Sequence, residues 1–534
     1  MIKTSPYLPK GTSKLSLHKL LFILLLVLVT TGQNSIFAQT EDGGYTISSI
    51  TFDIKGRTKE AALLRITEIK TGTTFKKKDD LEKYIAEKTT ILRNQRILEF
   101  AEITYTALEN GVSGENTNTD IELKIQTRDS HNFIIFPEPK YSSTNGWRTS
   151  IRARDYNVLG SGSPLRFNFE YSFGDKNEFA KDNFNIVLTT DIPFTALGFN
   201  WNFKFDTALQ IFGIQDDFEG MSFQNTTGLS VDIPLSVTVF TIGYDQGVNV
   251  HPEYDSWKKY ITHTNIENLW FLSSTGFLAW RTPLFYQNEK LGKLMYFADV
   301  RSGANYSAKD IDLDSYAGAK VDLSQHIGFN KINWVNNFRE GFNINVANAN
   351  IYNSATNRWQ FNISENAEAH FLLSTFAGLS LRLHGLQWLN GAETEDDIWD
   401  RSSSYLLRGI KDDLLSADHI ITLNLDISFL VFKFMPSKWF NSKKAGYFDF
   451  DFHLGPLFDL GIASGQRMDK KLKTEASISF KPEDWLLSAG FEVIVFPLAF
   501  RSMFLRGSIG WNVSKWSKNY FGEYEIDIGL GHFY

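Results

Sequence analysis

Past Ser130 the chain alternates. Leu165, Phe167, Phe169, Tyr171 and Phe173 are separated by Arg166, Asn168, Glu170 and Ser172. Phe199, Trp201, Phe203 and Phe205 are separated by Asn200, Asn202 and Lys204, and Phe448, Phe450, Phe452 and Leu454 by Asp449, Asp451 and His453. A period of two marks strands with unlike faces, and no convincing helical period follows before the C-terminus. One face is rich in aromatics and the other carries charge, a pairing that suits a transmembrane barrel better than a soluble sandwich. Asp191-Ile192-Pro193-Phe194, Asp232-Ile233-Pro234-Leu235 and Arg281-Thr282-Pro283-Leu284 recur as punctuation, and Phe496-Pro497-Leu498 repeats the pattern. Each is expected to be a short turn on one side of the barrel, with longer loops on the other. The expected fold is mainly β, a transmembrane antiparallel β-barrel of about 16 strands, the segment count running from roughly 16 to 18.

Residues 45–127 read differently. Ile47, Ile50, Phe52 and Ile54 form a strand that ends at Lys55-Gly56. Thr58-Lys59-Glu60 opens a helix carrying Ala62, Leu63, Ile66 and Ile69, which Thr71-Gly72 stops. Lys76 to Asp80 leads into a second helix with Leu81, Tyr84, Ile85 and Leu92 on one face. Two strands close the unit, 101–108 and 120–126, giving the order β-α-α-β-β at a size that can hold its own core. The Lys76-Lys77-Lys78 run is read as the exposed start of the second helix.

The N-terminus sets the expected compartment. Lys3, Lys10, Lys14 and Lys19 precede or flank the apolar run Leu20 to Val29, and Ser35-Ile36-Phe37-Ala38 ends on a small residue. Residues 1–38 are expected to be a secretory signal peptide cut after Ala38. Their removal takes four lysines (Lys3, Lys10, Lys14, Lys19) and no acid, so the net charge becomes more negative than the −7 of the whole chain. That balance argues against nucleic-acid binding. With 534 residues and no cysteine, a secreted chain suits a bacterial envelope protein that needs no disulfide. Mean hydropathy of −0.22 argues against a bundle of membrane-crossing helices. The 45 Phe, 20 Tyr and 13 Trp belong to the expected lipid face of the strands.

Several motifs then fall in order. Pro137-Glu138-Pro139, Asn145-Gly146-Trp147 and Asp155-Tyr156-Asn157-Val158-Leu159-Gly160-Ser161-Gly162 are followed by Leu407-Arg408-Gly409-Ile410 and by Phe458-Asp459-Leu460-Gly461. The first group resembles the opening two strands and Leu-Gly-Thr-Gly turn of the BamA/TamA superfamily of outer-membrane insertases and two-partner secretion translocators. The second resembles that family's Val-Arg-Gly-Phe/Tyr lumen-loop motif. The third resembles its Phe-x-Asp-x-Gly strand motif, with one spacer residue fewer. The 45–127 unit likewise resembles a POTRA domain. The resemblance implies a periplasmic POTRA-like domain at 45–127 and an outer-membrane barrel over 131–534 whose loop, about 391–417, folds into the lumen. It also implies an Arg408–Asp459 lock with Gly409 at the loop tip, Asp426 as a second contact, and Gly146, Trp147, Asn157, Leu159, Gly160 and Gly162 at the start of the barrel.

Parity supports the lock independently. Asp459 falls with Asp449, Asp451 and His453, and Asp426 with Thr422, Asn424 and Ser428, opposite Ile421, Leu423, Leu425 and Ile427. An arginine inserted among inward carboxylates makes a bidentate, partly desolvated pair; on a solvated outer loop its pairs would contribute little. Tyr524, Ile526, Ile528 and Leu530 alternate with Glu525, Asp527, Gly529 and Gly531 up to a terminal Tyr534, resembling the recognition strand of outer-membrane barrels, from which His532 departs.

Enzyme motifs are absent: there is no Gly-x-Ser-x-Gly, Walker lysine or His-Glu-x-x-His. No cofactor or metal is expected. The acidic stretch Glu393 to Asp400 lacks the order of a calcium loop, and His370, His384 and His453 are read as lumen residues. The expected partners are outer-membrane lipid and unfolded envelope clients or one secreted partner, with periplasmic chaperones or accessory lipoproteins in support. The reading is of an insertion or translocation factor of the outer membrane; a dedicated secretion translocator and a passive pore are the alternatives.

Overall fold

The computed structural model describes residues 44–108, 119–142, 146–172, 183–212, 220–251, 269–288, 290–307, 319–354, 358–389, 406–410, 418–469, 474–478, 481–501, 503–514 and 521–532. The expected signal peptide, most of the 391–417 loop and Tyr534 lie outside them.

A small mixed unit comes first, made of β1 (Tyr45–Lys55), α1 (Glu60–Thr67), β2 (Thr74–Phe75), α2 (Lys78–Asn94), β3 (Leu98–Ala107) and β4 (Thr119–Asp129). Its sheet runs β2-β1-β4-β3, with β1 and β4 parallel. The parallel pair needs a crossover, which the two helices supply. Leu63, Leu81 and Leu92 from the helices meet Ile47, Ile121, Leu123 and Ile125 from the sheet, all fully buried. The two-residue β2 had no signature in the sequence. β3 pairs with β4 alone in this sheet.

The barrel begins with β5 (Phe133–Ser142), β6 (Gly146–Asp155), β7 (Leu165–Ser172), β8 (Asn183–Ala196), β9 (Phe199–Phe212), β10 (Gly220–Leu235), β11 (Thr238–His251) and β12 (Leu269–Asn288). It continues with β13 (Gly292–Ser307), β14 (Ala319–Val335), β15 (Phe338–Asn353), β16 (Arg358–Ser374), β17 (Ala377–Trp388) and β18 (His419–Phe434). The short helix α3 (Pro436–Trp439) follows, then β19 (Phe450–Asp469), β20 (Thr474–Ile478), β21 (Leu486–Pro497), β22 (Met503–Asn512) and β23 (Tyr524–His532). β20 only extends β19, so among the described residues 18 strands go round and β23 closes on β5. That is the upper end of the range expected from sequence. Leu229, Ile242, Leu278, Phe371, Phe458 and Phe491 are exposed on the outside, while Asp299, His370, Asn424, Asp426, Asp459 and Glu492 are buried. A wall this apolar, joined edge to edge by hydrogen bonds, has the chemistry of a lipid-facing surface. No described helix is long and apolar enough to cross a membrane.

The proline punctuation sits differently from expectation. Pro193, Pro234 and Pro283 lie within β8, β10 and β12 instead of making the turns, which fall at Leu197-Gly198, Ser236-Val237 and beyond Asn288. Each lies past the last residue that pairs with the preceding strand, at Thr190, Asp232 and Arg281 respectively. Strand stagger leaves that edge without a neighbour, so the missing N–H disrupts nothing.

Pro137 and Pro139 are another matter. Take the end that carries the small domain as the bottom, so that β5 and β9 rise. The two-residue turns close the pairs Ala196↔Phe199 and Leu235↔Thr238. In such turns the flanking residues direct N–H and C=O at each other. Phe199 and Leu235 are exposed on the outside. Because chirality ties face, direction and donor side together, outward residues on a rising strand address the preceding strand. In β5 the odd positions face out: Phe133 and Ile135 are exposed, Ile134 and Glu138 buried. The register with β6 is unbroken from Phe133 to Ser142. The odd N–H groups of β5 therefore point at β23, and residues 137 and 139 have none to offer. Gly529 of β23 lies at this level, where a β-carbon would come within 3.2 Å of Glu138 Oε1.

Leu123 is fully buried at the centre of the small sheet. Leu123→Ala should destabilise that unit by about 2–5 kcal/mol. Amide exchange in the full-length protein should quicken over 45–129 and stay unchanged in the barrel strands.

Candidate functional site

The residues Leu406–Ile410 are described inside the barrel wall, with Leu407 and Ile410 buried. Gly409 has φ +81°, and a β-carbon there would meet the backbone of Gly510 on β22 at 2.5 Å. The reciprocal β-carbon on Gly510 would meet the Arg408 carbonyl at 2.8 Å. Two glycines thus let loop and wall come into backbone contact. Asn424 Nδ2 holds the Leu406 carbonyl at 2.8 Å.

Arg408 then reaches three strands. Its backbone N–H and Nε donate to Asp459 Oδ2 at 2.7 and 3.0 Å, and Nη2 donates to Oδ1 at 2.5 Å. Nη1 donates to Asp426 and, at 3.4 Å, to Glu492 Oε2. Asp426 also accepts from Arg382 Nη2 at 3.0 Å, and Glu492 accepts from Arg506. Three guanidinium groups therefore face three carboxylates, and Asp459 has no exposed side-chain surface. Formal charge cancels within the cluster, which is the condition for charges to persist away from bulk water. A planar fork with several donors can bridge β18, β19 and β21 at once; an ammonium could not.

Asp426 and Asp459 come together with Arg408 as parity suggested. Glu492, Arg382 and Arg506 were not singled out from sequence. The available signal was an isolated acid among apolar residues, in Phe491-Glu492-Val493-Ile494-Val495, but nothing local pairs it with position 408. Asp449 departs from the parity reading: it lies before β19, where it accepts from Ser437 N at 3.0 Å and from Ser437 Oγ. Glu393 to Asp400 lie outside the described residues. His370, His384 and His453 contact Ser380, Asn366 and Ser428 at 2.8, 2.5 and 3.1 Å.

The turn after β6 fastens the small unit to the barrel. Asn157 is fully buried; its Nδ2 donates to Thr58 Oγ1 at 2.8 Å and Asp129 Oδ2 at 3.3 Å, and its Oδ1 accepts from Gly162 N at 2.8 Å. Lys59 N donates to the Gly160 carbonyl at 3.0 Å, and a β-carbon on Gly160 would lie 2.0 Å from the Arg57 carbonyl. Leu159 is exposed at φ 53°. Arg57 makes a bidentate pair with Asp155 at 2.9 and 3.0 Å, and this hydrogen-bonded partner raises its pKa. Gly146 pairs with Ser142 and position 147 with Tyr141 in the β5–β6 ladder. Gly529 lies at the seam and Tyr534 outside the described residues.

A second fastening spans the mouth. Arg96 Nε donates to the Arg501 carbonyl at 2.6 Å and Nη2 to Asn337 Oδ1 at 3.0 Å, with the guanidinium 5.0 Å over the Trp334 ring. Arg501 Nη1 returns bonds to the carbonyls of Leu98 and Glu99 at 3.1 and 2.9 Å. Between α2 and the inner wall lies a cavity of about 1300 Å³ lined by Lys88, Asn94, Lys293, His326, Asn345 and Glu368 among others.

Arg408→Ala would leave three inward carboxylates short of a cation and should cost about 3–5 kcal/mol. The urea midpoint of the reconstituted barrel reports it, and Arg408→Lys should recover only part. Arg57→Ala removes a pair whose arginine is half exposed and should cost at most about 1 kcal/mol in the same measurement.

No protein-family model matches this chain, and no curated protein matches it. Among solved structures it is similar to BamA from Haemophilus ducreyi lacking POTRA domains 1–3, at 12% identity and TM-score 0.42, over 92% of this chain and 85% of that one. It is similar to CdiB from Acinetobacter baumannii at 12% identity and TM-score 0.46, over 91% and 73% of the two chains. It is also similar to CdiB from Escherichia coli at 11% identity and TM-score 0.36, over 94% and 93%.

Proposed function

We propose that this chain is an outer-membrane protein of BamA/TamA type that passes envelope proteins into or across the membrane, with residues 45–127 in the periplasm. The observation that carries the reading is the β5–β23 seam, where Pro137 and Pro139 withdraw two donors from the edge that must close the barrel. An edge with free acceptors opposite it is a template for another strand. A client hairpin entering there gains ladder hydrogen bonds while its apolar side chains meet lipid, so no nucleotide is needed. The outer edge of β3 can first hold an extended client by strand addition, with little demand on sequence. The Arg408 cluster supports the same reading by fixing the inward loop to the three strands β18, β19 and β21, leaving β5 and β23 outside the fastened sector.

Export of one dedicated partner through the lumen is the second reading, and the polar cavity between α2 and the wall favours it. Depletion separates the two: an inserter's loss lowers many barrel proteins, a translocator's loss removes one exported protein. Restoring the donors with Pro137→Ala and Pro139→Ala together should tighten the seam. The barrel's unfolding temperature on gels should rise and client insertion into vesicles should fall at least several-fold. An unchanged insertion rate in a demonstrably tighter barrel would sink the seam reading.

A further inference from the structure

The segment joining β18 to β19 is not a simple turn. α3 is followed by a 3₁₀ turn at Lys444–Phe448, and the segment is pinned at both ends. Ser437 donates twice to Asp449, Phe440 N bonds the Pro436 carbonyl at 2.9 Å, and Leu498 N bonds the Asp449 carbonyl at 2.9 Å. A segment this well held nevertheless exposes its largest apolar side chains: Trp439 is 62% exposed, Phe440 73%, Tyr447 50% and Phe448 69%. Ordinary folding would turn such residues inward.

The exposed aromatics continue the outer face of the barrel. A bulge between Leu430 and Phe432 turns Phe432 and Phe434 outward. Phe432 stacks on Phe452 and Phe434 on Phe450, each at 4.9 Å between centroids, and Trp439 meets Phe434 edge-on at 4.9 Å. The lipid-facing surface thus runs down two strands and onto α3. Charge is equally one-sided: Lys438, Lys443 and Lys444 are exposed, and no acid occurs between Asp426 and Asp449, while Lys433 turns inward to Asp451 at 3.9 Å. Asp449 itself is occupied by Ser437. Aromatic rings at the end of a lipid-facing strand, on a segment 436–448 whose charged side chains are all lysines, match a headgroup layer carrying negative charge.

We propose that residues 436–448 form a binding site for anionic phospholipid headgroups in the leaflet on the small-domain side. Trp439, Phe440 and Phe448 enter the interface while Lys438, Lys443 and Lys444 contact phosphate. The proposal rests on the membrane reading of the barrel but not on insertase activity. It reaches the seam through Tyr447, whose ring lies 5.5 Å from that of His131, just ahead of β5.

The absence of cysteine makes the test clean, because each introduced thiol is unique. Full-length protein labelled with a nitroxide at Phe440→Cys is reconstituted into phosphatidylcholine vesicles with or without phosphatidylglycerol. Leu229→Cys serves as the lipid reference and Glu60→Cys as the aqueous one. With phosphatidylglycerol present, the label at 440 should lose at least threefold in collision with a water-soluble relaxant, and much less without it. Replacing Lys438, Lys443 and Lys444 by Gln together should abolish the difference between the two vesicles. A label at 440 as accessible as that at 60 overturns the proposal. Equal shielding in both vesicles also overturns it, as does shielding that appears only when periplasmic protein is added. If the label at 229 is itself aqueous, the membrane reading fails and this site falls with it.

Discussion

A strand that crosses lipid has no water to satisfy its backbone, so each N–H must find an acceptor on a neighbouring strand. That constraint closes the wall of 18 strands on itself and decides where proline is tolerated. Pro193, Pro234 and Pro283 lie where the preceding strand has already ended, and their missing donors face no ladder. Pro137 and Pro139 face the one neighbour that is also the last strand of the chain. The same residue type is thus neutral at three positions and weakening at two, and only register distinguishes them.

Weakness at one seam has to be balanced by stiffness elsewhere, or the barrel would lose its shape. The Arg408 cluster supplies it on the adjoining side of the wall. Asp426, Asp459 and Glu492, clustered on the inner wall, would repel one another; the loop arginine, with Arg382 and Arg506, turns that repulsion into a cross-brace. The two fastenings of the small domain act in the same sense. Asn157 joins the β6–β7 turn to Thr58 and Asp129, and Arg96, in the turn after α2, ties it to the turns at Asn337 and Arg501. β5 therefore leaves from an anchored base.

The two faces of the wall were legible in the sequence because a period of two needs only neighbours along the chain: Phe199, Trp201, Phe203 and Phe205 declare their side without knowledge of the fold. The β-α-α-β-β order of the small unit was legible for a similar reason, since its helices carry their own start and stop residues. Arg408 with Asp426 and Asp459 needed one assumption more, that the loop folds inward. Glu492 lies 84 residues from Arg408 and was invisible, because no local pattern states which strands lie side by side in a ring. The bulge at Leu430 to Phe432 defeats parity itself: alternation carried on from Asp426 would send Phe432 and Phe434 into the lumen, and the register shift sends them out.

That shift also explains why the β18–β19 connection is elaborate. Had parity held, Phe432 and Phe434 would have crowded His453, which is already packed between Phe338 and Phe496. Turned outward, they extend the lipid-facing surface to the rim and give Trp439 a ring to lie against. Asp449, just ahead of β19, accepts from Ser437 and holds the start of α3 in place. One inserted residue thus converts what would have been a buried, overpacked strand end into an ordered aromatic edge at the small-domain rim, close to where β5 begins.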